Sequence, residues 1–222
     1  MRLLAIDTAL AACSAAIYDT RIGLIAAQSR LMARGHAEAL MPLVQDLMTK
    51  AKARFSDFDR IAVTVGPGSF TGLRVGVAAA RGLALAAKLP AVGVTTLAAF
   101  AAPYRAEPMP TLAAVDARHD HVYMQVFNTG REPDPPRLAT LQDAVDAISR
   151  APHRIVGNAA SLVAAAMPAS QAPARIEPSE APDILWVARA GAESPLHDAE
   201  PRPFYLRAPD AKPQDAARLP RR

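Results

Sequence analysis

The run GPGSFTGLR at 66–74 concentrates the residue types best suited to chemistry in this chain of 222 residues. Gly66, Gly68 and Gly72 and the hydroxyls of Ser69 and Thr71 lie between an apolar strand pattern at 61–65 and a small-residue helix pattern at 71–88. Such a junction can cradle phosphate, because free backbone N–H groups point out of a helix start. The spacing, however, lacks the Lys that follows the glycines of a phosphate-binding loop. A structural role accounts for the run: Gly66, Pro67 and Gly68 turn the chain sharply, Ser69 or Phe70 leads into the helix, and Gly72 and Gly76 allow close packing. An anion at Gly68 and Ser69 is the weaker alternative.

Other candidate groups are isolated. Cys13 lies in an apolar run, where a thiol acts as a small hydrophobe rather than a nucleophile, and as the single cysteine it excludes an internal disulfide framework. His119 and His121 could share one face of a strand with Asp120 pointing away, but two histidines without a third ligand are ordinary solvated polarity. His153 and His197 read as loop residues and Trp186 as core. No metal and no cofactor is assigned.

The elements that must hold these groups fall into two halves. Strands are expected at 3–6, 13–18, 22–27, 61–65 and 91–94, with helices at 36–54 and 71–88 and a short one capped by Thr95 or Thr96. Pro42 should kink the first helix or end its first turn. Seventeen of the 20 prolines lie at or beyond residue 103, a sharp change of composition, and those beyond Gly191 are expected to leave an extended tail. Strands at 112–115, 122–127 and 155–156 and helices at 140–149, 161–167 and 183–190 are expected there, the last opened by Pro182. The segment 101–110 reads as a linker. It divides the chain into lobes at 1–103 and 104–207, followed by a disordered tail at 208–222.

Composition narrows the class. With 51% hydrophobic residues the chain can bury a core, and no membrane-length apolar segment is expected; the reading is a cytoplasmic protein with no membrane partner. The net charge of +4 comes from scattered residues, so direct nucleic-acid binding is an alternative that predicts strongly salt-dependent binding.

IDT at 6–8, HAEALMPLV at 36–44, GPGSFTGLR at 66–74, DAR at 116–118 and PFYLR at 203–207 together make the chain resemble the TsaB (YeaZ) family along nearly its whole length. The resemblance implies an α/β fold of two actin-like lobes, the ASKHA or ribonuclease H-like architecture, each a mixed sheet flanked by helices. It also implies a non-catalytic subunit that binds and activates TsaD in forming N6-threonylcarbamoyladenosine at position 37 of tRNA. The ATPase TsaE would join that pair, tRNA would be reached only through the complex, and the chain could form a homodimer when alone. An actin-like ATPase or kinase, or a metallopeptidase, is the alternative. Actin-like ATPases follow the Asp of each phosphate hairpin with glycines, whereas TALA follows Asp7 and ARHD follows Asp116, so capping turns are expected at both. TsaD-like relatives hold a metal with two histidines four apart on a helix, and here His36 is followed four residues on by Leu40.

Wound at ~100° per residue, the helix at 71–88 puts Gly72, Val75, Gly76, Ala79, Leu83 and Ala86 on the side suited to the sheet, with Arg74, Arg81 and Lys88 opposite. A second apolar line, Leu73, Val77, Ala80 and Ala84, runs between. It is either covered by the helix carrying Leu40, Leu43 and Leu47 or presented to a partner. The resemblance favours the partner, so the expected interface is Leu40, Leu43, Leu47, Leu73, Arg74, Val77, Ala80, Arg81 and Ala84. Two aromatics and a leucine in a proline-rich context make 203–207 an expected anchor on a lobe.

Overall fold

Strands form where short apolar runs are covered on both faces. The first, β1 (Arg2–Asp7), is buried at every position after Arg2 and lies at the centre of its sheet. It pairs antiparallel with β2 (Ala12–Asp19) and parallel with β4 (Arg60–Gly66). With β3 (Gly23–Leu31) and β5 (Ala91–Thr95) the order is β3-β2-β1-β4-β5. The computed structural model describes residues 1–148, 153–168, 175–196 and 200–207, so the expected tail at 208–222 and His197 lie outside the described residues.

The second half repeats the first. A second sheet contains β6 (Thr111–Arg118), β7 (His121–Phe127), β8 (Arg137–Thr140), β9 (Arg154–Gly157) and β10 (Arg175–Pro178), in the order β10-β9-β6-β7-β8. Counted from its own first strand, that is the order of the first sheet. The helices fall at matching places: α1 (His36–Lys50), α2 (Phe70–Ala87) and α3 (Thr96–Ala101) follow β3, β4 and β5, while α4 (Leu141–Ile148), α5 (Ala160–Ala166) and α6 (Ile184–Glu193) follow β8, β9 and β10. Two mixed five-stranded sheets flanked by helices give the expected α/β architecture of two actin-like lobes.

Three local differences from the sequence reading have clear causes. Helix α1 stops at Lys50 rather than 54, because Lys52 takes a φ of +51° and the Ala53 N–H bonds back to the Met48 carbonyl, closing the last turn. Pro42 sits inside α1. Strands β8 and β10 were not expected; each has four residues and lacks a clear apolar alternation. Helix α2, with 18 residues, is long and apolar enough to cross a membrane, contrary to the sequence reading, although it carries Arg74 and Arg81 and packs along the first sheet.

The division at residue 103 separates the sheets but not the helices. Helix α6 returns to the first sheet, where Ile184, Val187 and Ala188 pack with Leu3, Ala5, Ala62, Val92 and Val94. A Cβ on Gly191 would lie 2.3 Å from that of Ala62, which only glycine avoids. The Arg60 guanidinium, in β4, donates to the Gly191 and Ser194 carbonyls at 3.0 and 2.8 Å and fastens the end of the helix. Reciprocally, α3 lies against the second sheet, where Leu97, Phe100 and Ala101 pack with Ala113, Val115 and Val156. The lobes thus exchange their third helices, and the first lobe includes α6.

Candidate functional site

The ends of β1 and β6 face each other across a cleft of about 630 Å³ between the lobes. Leu10, Ala11, His36, Gly68, Ser69 and Phe70 line it from the first lobe, with Asp116, Ala117, Arg118, His119 and Asn158 opposite. Matching aspartates open the two hairpins. Asp7 Oδ1 accepts the Ala9 N–H at 2.9 Å, and Asp116 Oδ1 accepts the Arg118 N–H at 2.8 Å. Both are turns closed by a side chain on the backbone two residues ahead. Neither carboxylate stands free over the cleft, because Asp7 is fully buried beneath its hairpin and also accepts the Thr64 hydroxyl, while the Arg118 guanidinium lies 3.9 Å from Asp116.

The glycine loop turns inward onto the chain's own hairpin. Ser69 caps α2 by accepting the Gly72 N–H, and the Ser69 N–H itself donates to the Ala9 carbonyl at 2.7 Å. A Cβ on Gly68 would stand 2.3 Å from the Ala9 carbonyl oxygen, and one on Gly72 2.1 Å from that of Thr8. The Thr8 hydroxyl donates to the Gly72 carbonyl at 2.7 Å. Hairpin backbone therefore occupies the place that a phosphate would take on such a loop. The weaker anion candidate, Gly68 and Ser69, has its Ser69 N–H already bonded.

The second hairpin has no glycine where it turns. Arg118, His119 and Asp120 all adopt left-handed backbone, with φ of +66°, +53° and +57°. His119 therefore lies in the turn and not on a strand face with His121, whose Nδ1 is 2.6 Å from the His119 carbonyl. His36 Nε2 lies 3.0 Å from the Leu10 carbonyl and steadies the first hairpin. Among the described residues no group of three His, Cys, Asp or Glu could hold a metal ion. Burial pushes the Cys13 thiol up to about 11, with the nearby Asp7 adding to the rise, so the thiolate is scarce at neutral pH.

Burial also raises the Asp7 carboxyl above its ordinary value, against the opposing pull of the Thr64 and Ala9 hydrogen bonds and of His36. A carboxyl that holds its proton more tightly in the folded chain contributes stability that is present at low pH and lost as pH rises above the ordinary range near 4. Asp7→Asn keeps the Oδ1 acceptor and removes the titration. Its stability relative to the parent should therefore improve as pH rises from 3 to 8 in urea unfolding; a constant difference over that range would show that Asp7 ionises alike in both states.

The expected partner residues divide sharply. Leu40, Leu43, Leu47, Leu73, Val77, Ala80 and Ala84 are buried within the chain, at 6% exposure or less. All but Leu73 belong to the core between α1, α2 and the first sheet, while Leu73 packs with Leu97 in the inter-lobe core. As a surface of the free chain, that second apolar line is corrected: the hairpin, sheet and α1 enclose a wider arc of α2 than one sheet would. Arg74 and Arg81 do face outward, beside Ala78, Gly82 and Leu85, which the wheel reading missed. Gly82 gave the available signal, a helix-interior glycine four residues from Ala78 and one from Arg81.

The segment at 200–207 runs along this outward side. The Phe204 N–H donates to the Val65 carbonyl at 2.7 Å, Tyr205 stacks on Phe70 with ring centres 5.4 Å apart, and Arg74 lies 3.7 Å over the Phe70 ring. Arg74 Nε donates to the Tyr205 hydroxyl at 3.2 Å, and Arg81 pairs with Glu200. The expected anchor at 203–207 is in place.

Repeated β-β-β-α-β-α-β-α lobes around a cleft define a two-lobed protein of the actin-like class. The ethanolamine utilization protein EutJ of Carboxydothermus hydrogenoformans shares this fold at 10% identity, with a TM-score of 0.52 over 86% of this chain and 88% of that one. Residues 25–161 match the family model of TsaD, tRNA N6-adenosine threonylcarbamoyltransferase. The chain belongs to that family, in its TsaB (YeaZ) branch. It is 44% identical over 125 residues, 55% of its length, to the tRNA threonylcarbamoyladenosine biosynthesis protein TsaB of Escherichia coli K12. That match spans 53% of the E. coli protein, about half the length of the relative. A solved Pseudomonas aeruginosa protein, described as having similarity to the peptidase YeaZ, superposes with a TM-score of 0.76 at 30% identity, over 93% of this chain and 99% of that one.

Proposed function

We propose that this chain is a non-catalytic subunit of the assembly that forms N6-threonylcarbamoyladenosine in tRNA, and that it binds and activates a TsaD subunit through the outer side of α2. The observation that carries the interface is Gly82. It lies inside an 18-residue helix, needs no positive φ, and among the described residues has no atom within 4 Å of where a Cβ would stand. A helix-interior glycine costs about 1 kcal/mol relative to alanine, and nothing among the described residues requires it. A closely approaching partner helix supplies the reason. Ala78 and the exposed Leu85 extend the same stripe, and Arg74 and Arg81 are held beside it by Tyr205 and Glu200. Family membership supports a TsaD subunit as that partner.

The two hairpin aspartates close their own turns, which supports a non-catalytic role. TsaE would join the TsaD-bound form, two copies could pair through the same side of α2 when TsaD is missing, and tRNA would be met through the assembly in the cytoplasm. The test is Gly82→Trp. The isolated variant should melt as the parent does, since the site is open, while its affinity for TsaD falls at least a hundredfold, about 2.7 kcal/mol. Calorimetric titration with unchanged affinity would move the interface off α2.

A further inference from the structure

We propose that the outer edge of β3 is a second docking site, independent of α2, for an extended acidic segment of a partner chain that adds a strand to the first sheet. The four sheet edges differ greatly. Strand β5 has only five residues, follows Pro90, and has Pro201 beside Gly93. Strand β8 has four residues and follows Pro135 and Pro136, and β10 has four residues and ends in Pro178. Strand β3 has nine residues, with neither proline nor lysine. Long edges without such protection are templates for strand addition.

The register shows which groups the edge offers. The Met32 N–H donates to the Ala11 carbonyl at 3.0 Å, toward β2. By the antiparallel alternation, Ala27, Ser29 and Leu31 then point their N–H and C=O groups away from the sheet. The 2.7 Å contact between the Ser14 and Ser29 hydroxyls fits that pairing, because side chains approach most closely at pairs that exchange no backbone hydrogen bonds.

The two faces of β3 then set the sequence of the added strand. Leu24 and Leu31 pair with Tyr18 and Ala12 on the face that carries α6, and both are exposed, Leu31 at 74%. Arg30 pairs with Cys13 on the α1 face and is exposed. Arg34, just past the strand, and Arg21, before it, are exposed too. The one acidic group at the β2–β3 turn, Asp19, is buried and already faces Arg2 and Arg21. Apolar side chains on one face alternating with carboxylates on the other complete this edge. A second copy of β3 would bring like charges together, and a nucleic acid would leave the outward N–H groups and the leucines without partners.

The probe is a fluorescein-labelled peptide of four Glu-Val repeats, followed by anisotropy with the full chain. Saturable binding is expected, weakened at least tenfold in Arg30→Glu/Arg34→Glu and absent for a Lys-Val repeat. Ala27→Pro removes one outward N–H and leaves the β2 ladder intact, so it should also weaken binding at least tenfold. Should that variant melt early, a peptide N-methylated at alternate residues replaces it as the probe of edge hydrogen bonding, with the same tenfold loss expected in the parent chain. No saturation up to millimolar peptide, or equal binding with the edge donors or peptide donors removed, overturns the proposal. So does a parent chain that sediments as a dimer and becomes monomeric in Ala27→Pro, or a single-stranded RNA that displaces the peptide and binds Ala27→Pro as well as the parent.

Discussion

Val77→Glu should abolish cooperative folding of the isolated chain. Val77 is 3% exposed and belongs to the core that contains Leu40, Val44, Ile61 and Val63. An unpaired carboxylate there costs roughly 3–5 kcal/mol, against a total stability of about 5–15 kcal/mol for a typical domain. Circular dichroism on heating should show no cooperative transition, or one far below that of the parent. Unaltered melting would mean that Val77 faces outward after all. The contrast with Gly82→Trp, on the opposite side of α2, separates the inner from the outer arc of the helix.

A single added methyl group should have opposite effects at two glycines of α2. Gly72→Ala would force a Cβ to within 2.1 Å of the Thr8 carbonyl oxygen, and both atoms belong to elements that cannot swing aside. The expected loss is about 3 kcal/mol, at the upper end for overpacking. Gly82→Ala meets nothing among the described residues and should gain about 1 kcal/mol from helix propensity. Urea midpoints of the two variants should therefore move in opposite directions. A shared direction would show that the first hairpin does not rest on the start of α2.

Much of this site was legible in the sequence because its determinants are local. GPGSFTGLR lacks the lysine of a phosphate loop, and the structure shows its glycines giving room to Thr8 and Ala9. Asp7 and Asp116 were expected as capping residues and each accepts a backbone N–H two residues on. Thr95 caps α3, and Thr140 with Asp143 caps α4, again through neighbours in the chain. The outward face of α2 was not legible, since helical periodicity gives the angle between residues but not how many neighbours enclose the helix. Val77 and Arg81, four residues apart, lie respectively in the core and on the surface because α1 and the sheet cover one of them. The pattern of α6 likewise marks a buried side without saying which sheet it meets, and the return to the first sheet depends on fits such as Gly191 on Ala62.

The exchange of third helices also sets the order in which the molecule can be completed during synthesis. Domains commonly fold from the N-terminus as the chain emerges from the ribosome. Here all five strands of the first sheet are made by residue 95, yet the face formed by Leu3, Ala5, Ala62, Val92 and Val94, which Ala99 of α3 reaches at one side, lacks its main cover until α6 emerges. The second sheet meets the opposite circumstance, because α3, its cover on the inter-lobe side, is already made before β6 begins. The lobe synthesised first is thus the lobe finished last, and an apolar sheet face complete at residue 95 must wait until residues 184–193 are made for the helix that shields it.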